Sequence, residues 1–178
     1  MIHPFKHLFT ITKHRHLVIK HCFKVGIGFQ GMFHDLSKYS PSEFIPGMKY
    51  YQGNRSPNDK EREEKGYSSA WLHHKGRNKH HFEYWVDINI TTHTYEPCLM
   101  PLRYVKEMFC DRIAATKVYL KDKYEDGAAL NYFLTHSSRD KMHIKTAKLL
   151  EDWLRLLAEK GEKVAFKKIK KIKNRSVY

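Results

Sequence analysis

Apolar residues recur at intervals of three or four positions over most of the chain, which is the spacing of helices that bury one face. Long segments of this kind cover residues 10–25, 29–36, 41–51, 101–121 and 140–160, and shorter ones cover 67–72 and 127–135. No segment predicts a strand with confidence. The pattern therefore predicts an all-α, single-domain irregular helical bundle.

Local signals set the expected helix boundaries. Gly26 and Gly161 follow the first and last long segments, so we expect them to end those helices. The run 40–43 combines a serine cap, a proline at the first helical position and a glutamate at the third, which indicates a helix start. Residues 53–66 are polar and contain glycine and proline, and we expect an exposed loop there. The apolar residues Phe29, Met32 and Phe33 are expected to be buried.

Composition places the chain among folded globular proteins of one domain. It has 178 residues, of which 41% are hydrophobic, so it can build a sizeable core. No apolar stretch approaches the roughly 20 residues that span a bilayer, and no signal-peptide core is present. The three cysteines lack CxxC spacing, which favours reduced, mostly buried thiols over a zinc site or a disulfide framework. We expect a cytoplasmic protein; the oligomeric state is not indicated.

The formal net charge of +14 is concentrated at the C-terminal end. Seven positive charges lie in a stretch without an acid: Lys163, Lys167, Lys168, Lys170, Lys171, Lys173 and Arg175. About +7 remains for the body of the protein. We therefore expect a helical domain over residues 1–161 and a basic C-terminal tail over 162–178. Such a tail either binds a polyanion weakly or forms a solvated, disordered end.

The adjacent pair His34-Asp35 is the strongest chemical signal. Histidine offers a neutral nitrogen ligand and aspartate an anionic oxygen, so neighbours at the end of one helix can bind the same divalent ion. The pair closes an apolar run, and a buried charge requires a partner. A mononuclear site needs one or two further ligands. The pair therefore predicts a metal site.

Two residues on other helices are candidate partners. His14 shares the apolar face of the first long helix, where the alternative is a hydrogen-bonded core histidine. Asp111 lies in the middle of a later helix, where aspartate is mildly unfavourable, and the alternative is a surface ion pair with Arg112. Glu107, one turn earlier, is expected to assist or replace Asp111.

The set His14, His34-Asp35 and Asp111, in that order, resembles the HD-domain superfamily of helical, metal-dependent phosphohydrolases. Residues 34–38 are similar to its His-Asp-x-Gly-Lys stretch, with Ser37 in place of the glycine. By this resemblance Lys38 approaches the substrate phosphate. More closely, residues 34–44 and 73–85 resemble a bacterial family related to these domains whose activity is not settled. The resemblance covers most of residues 10–135.

A second histidine-rich segment, residues 73–85, contains two His-His pairs separated by a basic turn. In the superfamily such histidines supply a second metal site, and we choose His74 and His80 as these ligands over His73 and His81. Arg77 in the turn suits a phosphate group, which it can bind in a bidentate manner. Glu83 is a candidate ligand, general base or partner of a ligand ring. The alternative is an ordinary surface turn. A weaker candidate ligand is His93.

These observations predict a metal-dependent hydrolase of phosphate esters, with a nucleotide or another small anionic molecule as substrate. One or two ions of zinc, manganese, iron or nickel suit histidine and carboxylate ligands. One alternative is an HD-type di-iron oxygenase, since relatives hold iron in similar sites. Another is a basic helical domain that binds nucleic acid or another polyanion.

Overall fold

The structure is a computed structural model that describes residues 2–136, 138–175 and 178. Its main elements within these residues are eight α-helices: α1 (Pro4–Lys24), α2 (Gly28–Gly31), α3 (Pro41–Lys49), α4 (Pro57–Lys65), α5 (Ser69–Lys75), α6 (Leu102–Leu120), α7 (Ala128–Thr135) and α8 (Ile144–Lys171). Short 3-10 helices lie at Leu36–Tyr39, Phe82–Tyr84, Lys121–Lys123 and Arg139–Lys141. The prediction of an all-α, irregular helical domain is confirmed.

The core lies where α1, α6 and α8 pack together, with α7 against α8. Its buried side chains include Val18 and Cys22 of α1, Phe109 of α6 and Leu154 of α8. The helices α3 and α5 pack on each other, and α3 also contacts α1. The protein therefore has a dense apolar half around α6 and α8, and a second half in which α1 faces α3 and α5. The candidate site lies in this second half.

Along α1 the buried stripe alternates between apolar and histidine side chains. Ile11 and Val18 belong to the core, while His7, His14 and His21 are buried on the same side of the helix. The spacing of three or four residues puts all of these side chains on one face. One face of α1 thus contributes both to the core and to the polar half of the protein.

A small hairpin departs from the expectation that no strand would form. Strands β1 (Val86–Ile88) and β2 (Tyr95–Pro97) pair antiparallel, with Val86 opposite Pro97. The Asn89 side chain organises the turn between them by accepting hydrogen bonds from the backbone N–H groups of Thr91 and Thr92. His93 lies exposed in this turn, so the expectation that it belongs to a metal site is wrong.

The expected loop over residues 53–66 contains α4, so that expectation is wrong. The helix begins after Ser56, whose side chain accepts from the N–H of Asn58, and it ends at Gly66 in the left-handed conformation. Glu61 fixes α4 to the next segment because its buried carboxylate accepts from the hydroxyls of Ser68 and Ser69. The polar composition of residues 53–66 therefore did not indicate α4, which hydrogen bonds attach to the next segment.

The prediction that Phe29, Met32 and Phe33 are buried is also wrong. The side chains of Phe29 and Phe33 are 76% and 59% exposed, and Met32 is exposed as well. The segment forms only four residues of helix and then turns, so these side chains point away from the core while His34 and Asp35 point inward. Of the cysteines, Cys22 and Cys110 are buried, Cys98 is exposed and all three are free thiols.

The last helix continues past Gly161, which corrects the expected boundary between domain and tail. Gly161 has φ +73° and ψ 168°, so α8 has a kink there, but it runs on to Lys171. The continuation buries Ala165, Phe166 and Ile169 in the core. The Lys106 ammonium group joins this end to α1 by donating to the carbonyls of Val25 and Ile172. Residues 162–171 are therefore part of the packed domain; the tail prediction for Ser176 and Val177 lies outside the described residues.

None of the helices formed by the described residues combines the length and the apolar character that crossing a bilayer requires.

Candidate metal centre

Five segments of the chain bring their polar side chains to one point between α1, α5 and α6. We call this group the His-Asp cluster, and its members are His14, His34, Asp35, His74, His80, His81 and Asp111. Each predicted metal ligand is in the cluster. His14 comes from the buried stripe of α1, His74 from the last turn of α5 and Asp111 from α6. His80 and His81 follow the basic turn after α5.

The His34-Asp35 pair occupies the centre because of its backbone. Asp35 has φ +54°, in the left-handed region, and it begins the 3-10 helix Leu36–Tyr39. Aspartate tolerates this conformation better than most residues do. The turn buries both side chains, each with only 1% of its surface exposed. The side chains of His34 and Asp35 are therefore both directed toward the centre of the cluster.

One lobe of the cluster contains His14, His34 and Asp111 around Asp35 Oδ2. His14 Nε2 lies 2.9 Å from Asp111 Oδ1 and 3.6 Å from Asp35 Oδ2. His34 Nε2 lies 3.3 Å from Asp35 Oδ2 and 3.6 Å from Asp111 Oδ1. Two nitrogens and two carboxylate oxygens are thus within reach of a single ion.

The other lobe contains histidines around the second oxygen of the same carboxylate. His74 Nε2 lies 3.3 Å and His80 Nε2 3.4 Å from Asp35 Oδ1. His81 completes this lobe as a member of the same potential ligand group. Asp35 belongs to both lobes, one oxygen in each, so it is shared by two groups that could hold a metal ion.

The hydrogen-bonding state of these atoms agrees with a metal site. Among the described residues, the Nε2 atoms of His14, His34, His74, His80 and His81 are buried and make no well-aligned hydrogen bond. Both carboxylate oxygens of Asp35 are also without a well-aligned hydrogen bond, although Lys38 Nζ lies 2.6 Å from Oδ2. Five buried imidazole nitrogens directed at the same carboxylates without well-aligned hydrogen bonds are unusual in a purely structural role, since buried polar groups normally are satisfied. The donor set therefore fits one or two divalent ions.

Two glutamates hold the rings in this orientation from behind. Glu107 Oε1 lies 2.9 Å from Nδ1 of His34 and 3.3 Å from Nδ1 of His80. Glu43 lies 2.7 Å from Nδ1 of His74 through one oxygen and 2.7 Å from Nδ1 of His73 through the other. A carboxylate that accepts from Nδ1 directs the Nε2 lone pair toward the site. Of the two roles expected for Glu107, the geometry is that of assisting, because it contacts the Nδ1 side of both rings.

A model of a family of unknown function, DUF5662, matches residues 3–156 of this chain. The chain belongs to the DUF5662 family. Neither a curated protein nor a solved structure matches it. The matched residues, 3–156, include the whole His-Asp cluster together with Glu43 and Glu107. The C-terminal part of α8 lies outside this range.

The charges in this DUF5662 protein are coupled. Burial alone would raise the pKa values of Asp35 and Asp111, but neighbouring histidines, and Lys38 beside Asp35, hold both well below the ordinary value. Burial likewise opposes protonation of His34, but the carboxylates of Asp35, Asp111 and Glu107 together raise its pKa well above 6.5. The carboxylates of the cluster therefore favour a positive charge beside them, such as a proton on His34.

Lys38, for which the resemblance implied a contact with the substrate phosphate, lies at the edge of the His-Asp cluster. Its Nζ is 2.6 Å from Asp35 Oδ2, and about a third of its side chain is exposed. Burial opposes its charge, but Asp35 and Asp111 raise its pKa above 10.5, so it carries a positive charge. An ammonium group beside the Asp35 carboxylate is suited to bind a phosphate oxygen that approaches the His-Asp cluster.

The other two expected catalytic residues are not brought to the cluster. Arg77 is exposed and its Nη1 donates to the carbonyl of His73, which places it on the outer side of the basic turn. Glu83 lies in the 3-10 helix that follows, and burial raises its pKa while the charge of Arg112 opposes that shift. The phosphate contact by Arg77 stays a prediction, and Glu83 makes no hydrogen bond to a histidine of the cluster within the described residues.

Sequence reasoning missed His81 and Glu43. His81 is extended, at φ −85° and ψ 129°, so both members of the second His-His pair turn toward the cluster. Glu43 was assigned to a helix cap, yet Ser40 makes no side-chain cap and Glu43 bonds to His73 and His74. The helix start itself lies at Pro41, as predicted. From the local sequence, a glutamate at the third position of a helix that caps the helix cannot be distinguished from one that bonds to distant histidines.

Proposed function

We propose that this protein is a metal-dependent hydrolase of phosphate esters. The single observation that supports the proposal is the position of Asp35, whose two oxygens face imidazole nitrogens of different lobes, 3.3 Å from His34 Nε2 and 3.3 Å from His74 Nε2. Sites with two ions about 3.5–4 Å apart occur in phosphatases and nucleases. When bound, such ions lower the pKa of a water molecule and offset charge on a phosphate oxygen.

The protein's own residues have separate tasks in this proposal. His14, His34, Asp35 and Asp111 hold one ion, and the histidines of the second lobe hold the other. Glu107 and Glu43 keep the rings in place, so little reorganisation is needed when an ion or substrate arrives. Lys38 binds the phosphate group and stabilises the charge that develops on it. The HD-domain resemblance agrees with this assignment and stays a prediction.

The test begins with protein purified without added metal. We expect elemental analysis to find divalent metal, and we expect hydrolysis of p-nitrophenyl phosphate after loading with manganese, iron, nickel or zinc. Asp111→Asn should lower both metal content and activity sharply, because it removes an anionic ligand from the first lobe. Asp122→Asn, in an exposed 3-10 helix, is the matched control and should change neither. Full metal content in Asp111→Asn would contradict the assignment.

A second candidate function is oxygen chemistry at a di-iron centre. The observation that favours it is the number of histidines, five in a cluster of seven residues, because imidazole suits iron. Iron as the main metal of the purified protein, with a visible absorption band and no phosphatase activity, would support this candidate over hydrolysis.

A further inference from the structure

A cavity of about 70 Å³, lined by both polar and apolar groups, adjoins the His-Asp cluster on the side of α3 and α4. It shares Lys38, Glu43 and His74 with the candidate metal centre, so a ligand bound there would contact the place assigned to the phosphate. Its remaining polar lining comes mainly from His7, Thr10, Tyr51, Asn58 and Tyr119. We call it the side cavity. Its chemistry indicates which part of a substrate it can accept.

His7 gives the side cavity a buried polar atom without a partner. Only 6% of the residue is exposed, and its Nδ1 is buried and makes no hydrogen bond within the described part of the chain. The other side of the ring abuts Gly47, where an added Cβ would lie 2.2 Å from Nε2. Burial, aided by the charge of Lys38, lowers the pKa of His7 to about 4, so the ring is neutral at physiological pH. A neutral imidazole can exchange hydrogen bonds with a hydroxyl group.

Tyr51 contributes an oxygen with accepting capacity. The hydroxyl of Thr10 donates its only hydrogen to the carbonyl of Lys6, at 2.9 Å. The bond of 2.9 Å between Thr10 and Tyr51 must then be donated by the tyrosine. The lone pairs of the Tyr51 oxygen are left to accept, and a hydroxyl group of a ligand is a suitable donor.

The charges of the lining favour a neutral ligand group. Both oxygens of Glu43 accept hydrogen bonds from His73 and His74, so part of its charge is offset within the protein. Burial raises the pKa of Tyr119, which keeps the phenol neutral. Lys38 is the cation of the lining, and it is directed toward Asp35. A hydroxyl-bearing group therefore matches the lining better than an ammonium group does.

The volume limits the size of that group. At about 10–15 Å³ for each water, the side cavity has room for about five water molecules. This suits a chain of about three carbons with hydroxyl groups, and it is small for a nucleobase.

We propose that the side cavity binds the hydroxylated alcohol portion of a short polyol phosphate, while the phosphate group lies at Lys38 and the His-Asp cluster. This inference rests on the proposed function and narrows its substrate class from phosphate esters in general to short polyol monoesters. Residues built to bond to a hydroxyl discriminate strongly against an analogue that lacks it, because their own polar atoms are then left unpaired.

The test uses metal-loaded full-length protein and two ligands that cannot be hydrolysed at the C–P bond, 3,4-dihydroxybutylphosphonate and butylphosphonate. Calorimetry should show that the dihydroxy compound binds at least about tenfold tighter. Tyr51→Phe and Tyr119→Phe should each reduce that ratio about three- to tenfold and leave the Kd of inorganic phosphate unchanged. Tyr67→Phe, at an exposed tyrosine outside the lining, should leave the ratio unchanged.

The outcomes separate this inference from the function on which it rests. Equal affinities of the two phosphonates for the unaltered protein would overturn the inference and leave the hydrolase proposal standing. A preference that persists in both Tyr51→Phe and Tyr119→Phe would overturn the assignment to the side cavity. Failure of both phosphonates and of inorganic phosphate to bind metal-loaded protein would overturn the proposed function, and this inference with it.

Discussion

At the scale of single residues, most members of the His-Asp cluster were predictable, and the glutamates that contact their rings were not. His34 and Asp35 are adjacent, and His14 lies on a buried helical face, so spacing alone indicated them. Glu43 and Glu107 acquire their roles only when α3 meets α5 and α6 meets the turn after α2. Arg77 had a suitable charge, but its direction depends on a turn whose conformation the sequence does not specify.

The orientation supplied by Glu107 can be measured separately from direct ligation. Glu107→Gln removes the charge that accepts from Nδ1 of His34 and His80. We expect metal affinity to fall roughly 10- to 100-fold, as is typical when such supports are lost. Competition with a chromophoric chelator measures the affinity. Glu159→Gln, at an exposed position of α8, is the control, and an equal loss in both variants would contradict a positioning role.

Metal uptake should depend on pH because protons and metal ions compete for the same nitrogens. Burial opposes a charge on His34 and His74, but their carboxylate neighbours raise both pKa values above 6.5. Protons on these rings are therefore retained at pH values where a free imidazole has lost them, and an incoming ion must displace them. Metal affinity should weaken as pH falls from 8 to 6, by up to about tenfold per pH unit for each proton released. Titration calorimetry in buffers of different ionisation enthalpy counts those protons; no proton release would contradict the prediction.

At the scale of elements, local signals predicted the start of α3 and the end of α1 but not the end of α8. Pro41 marks a start correctly because proline both fits the first turn and lacks the donor that this turn leaves free. Gly161 was taken as an end because glycine adopts the left-handed conformation, and it does adopt it. The helix resumes because Phe166 and Ile169 are buried against the core, which is information from tertiary packing. In α4, the anchor Glu61 accepts hydrogen bonds from Ser68 and Ser69 of the following segment, contacts that the polar composition of residues 53–66 does not indicate.

The kink at Gly161 should be sensitive to any side chain. Its φ of +73° is unfavourable for other residues, and an added Cβ would lie 3.3 Å from Asp126 Oδ2. We expect Gly161→Ala to lower the free energy of unfolding by about 1–2 kcal/mol, measured by urea denaturation. Gly127→Ala is the matched control, because its φ is −79° and a Cβ there makes an ordinary contact. A smaller loss in Gly161→Ala than in Gly127→Ala would contradict the role given to the kink.

At the scale of the whole molecule, the distribution of charge follows the architecture. The seven basic residues between 163 and 175 are exposed, while Ala165, Phe166 and Ile169 among them are buried in the core. Deleting this segment would remove core side chains together with the charges, so only substitution of the lysines can test polyanion binding cleanly. That interaction stays a prediction.

The His-Asp cluster also has a consequence for the stability of the molecule. His14 and Asp111 are 97 positions apart, and the other members lie on three intervening segments. By mass action, an ion present at 1,000 times its Kd would stabilise the folded chain by about 4 kcal/mol. For a chain of this length, a chelator should then lower Tm by roughly 10 °C, and equal melting of the loaded and stripped protein would contradict this. The ion would act as a removable cross-link, so proteolytic turnover of the protein would rise when the metal is scarce and its abundance would follow metal supply.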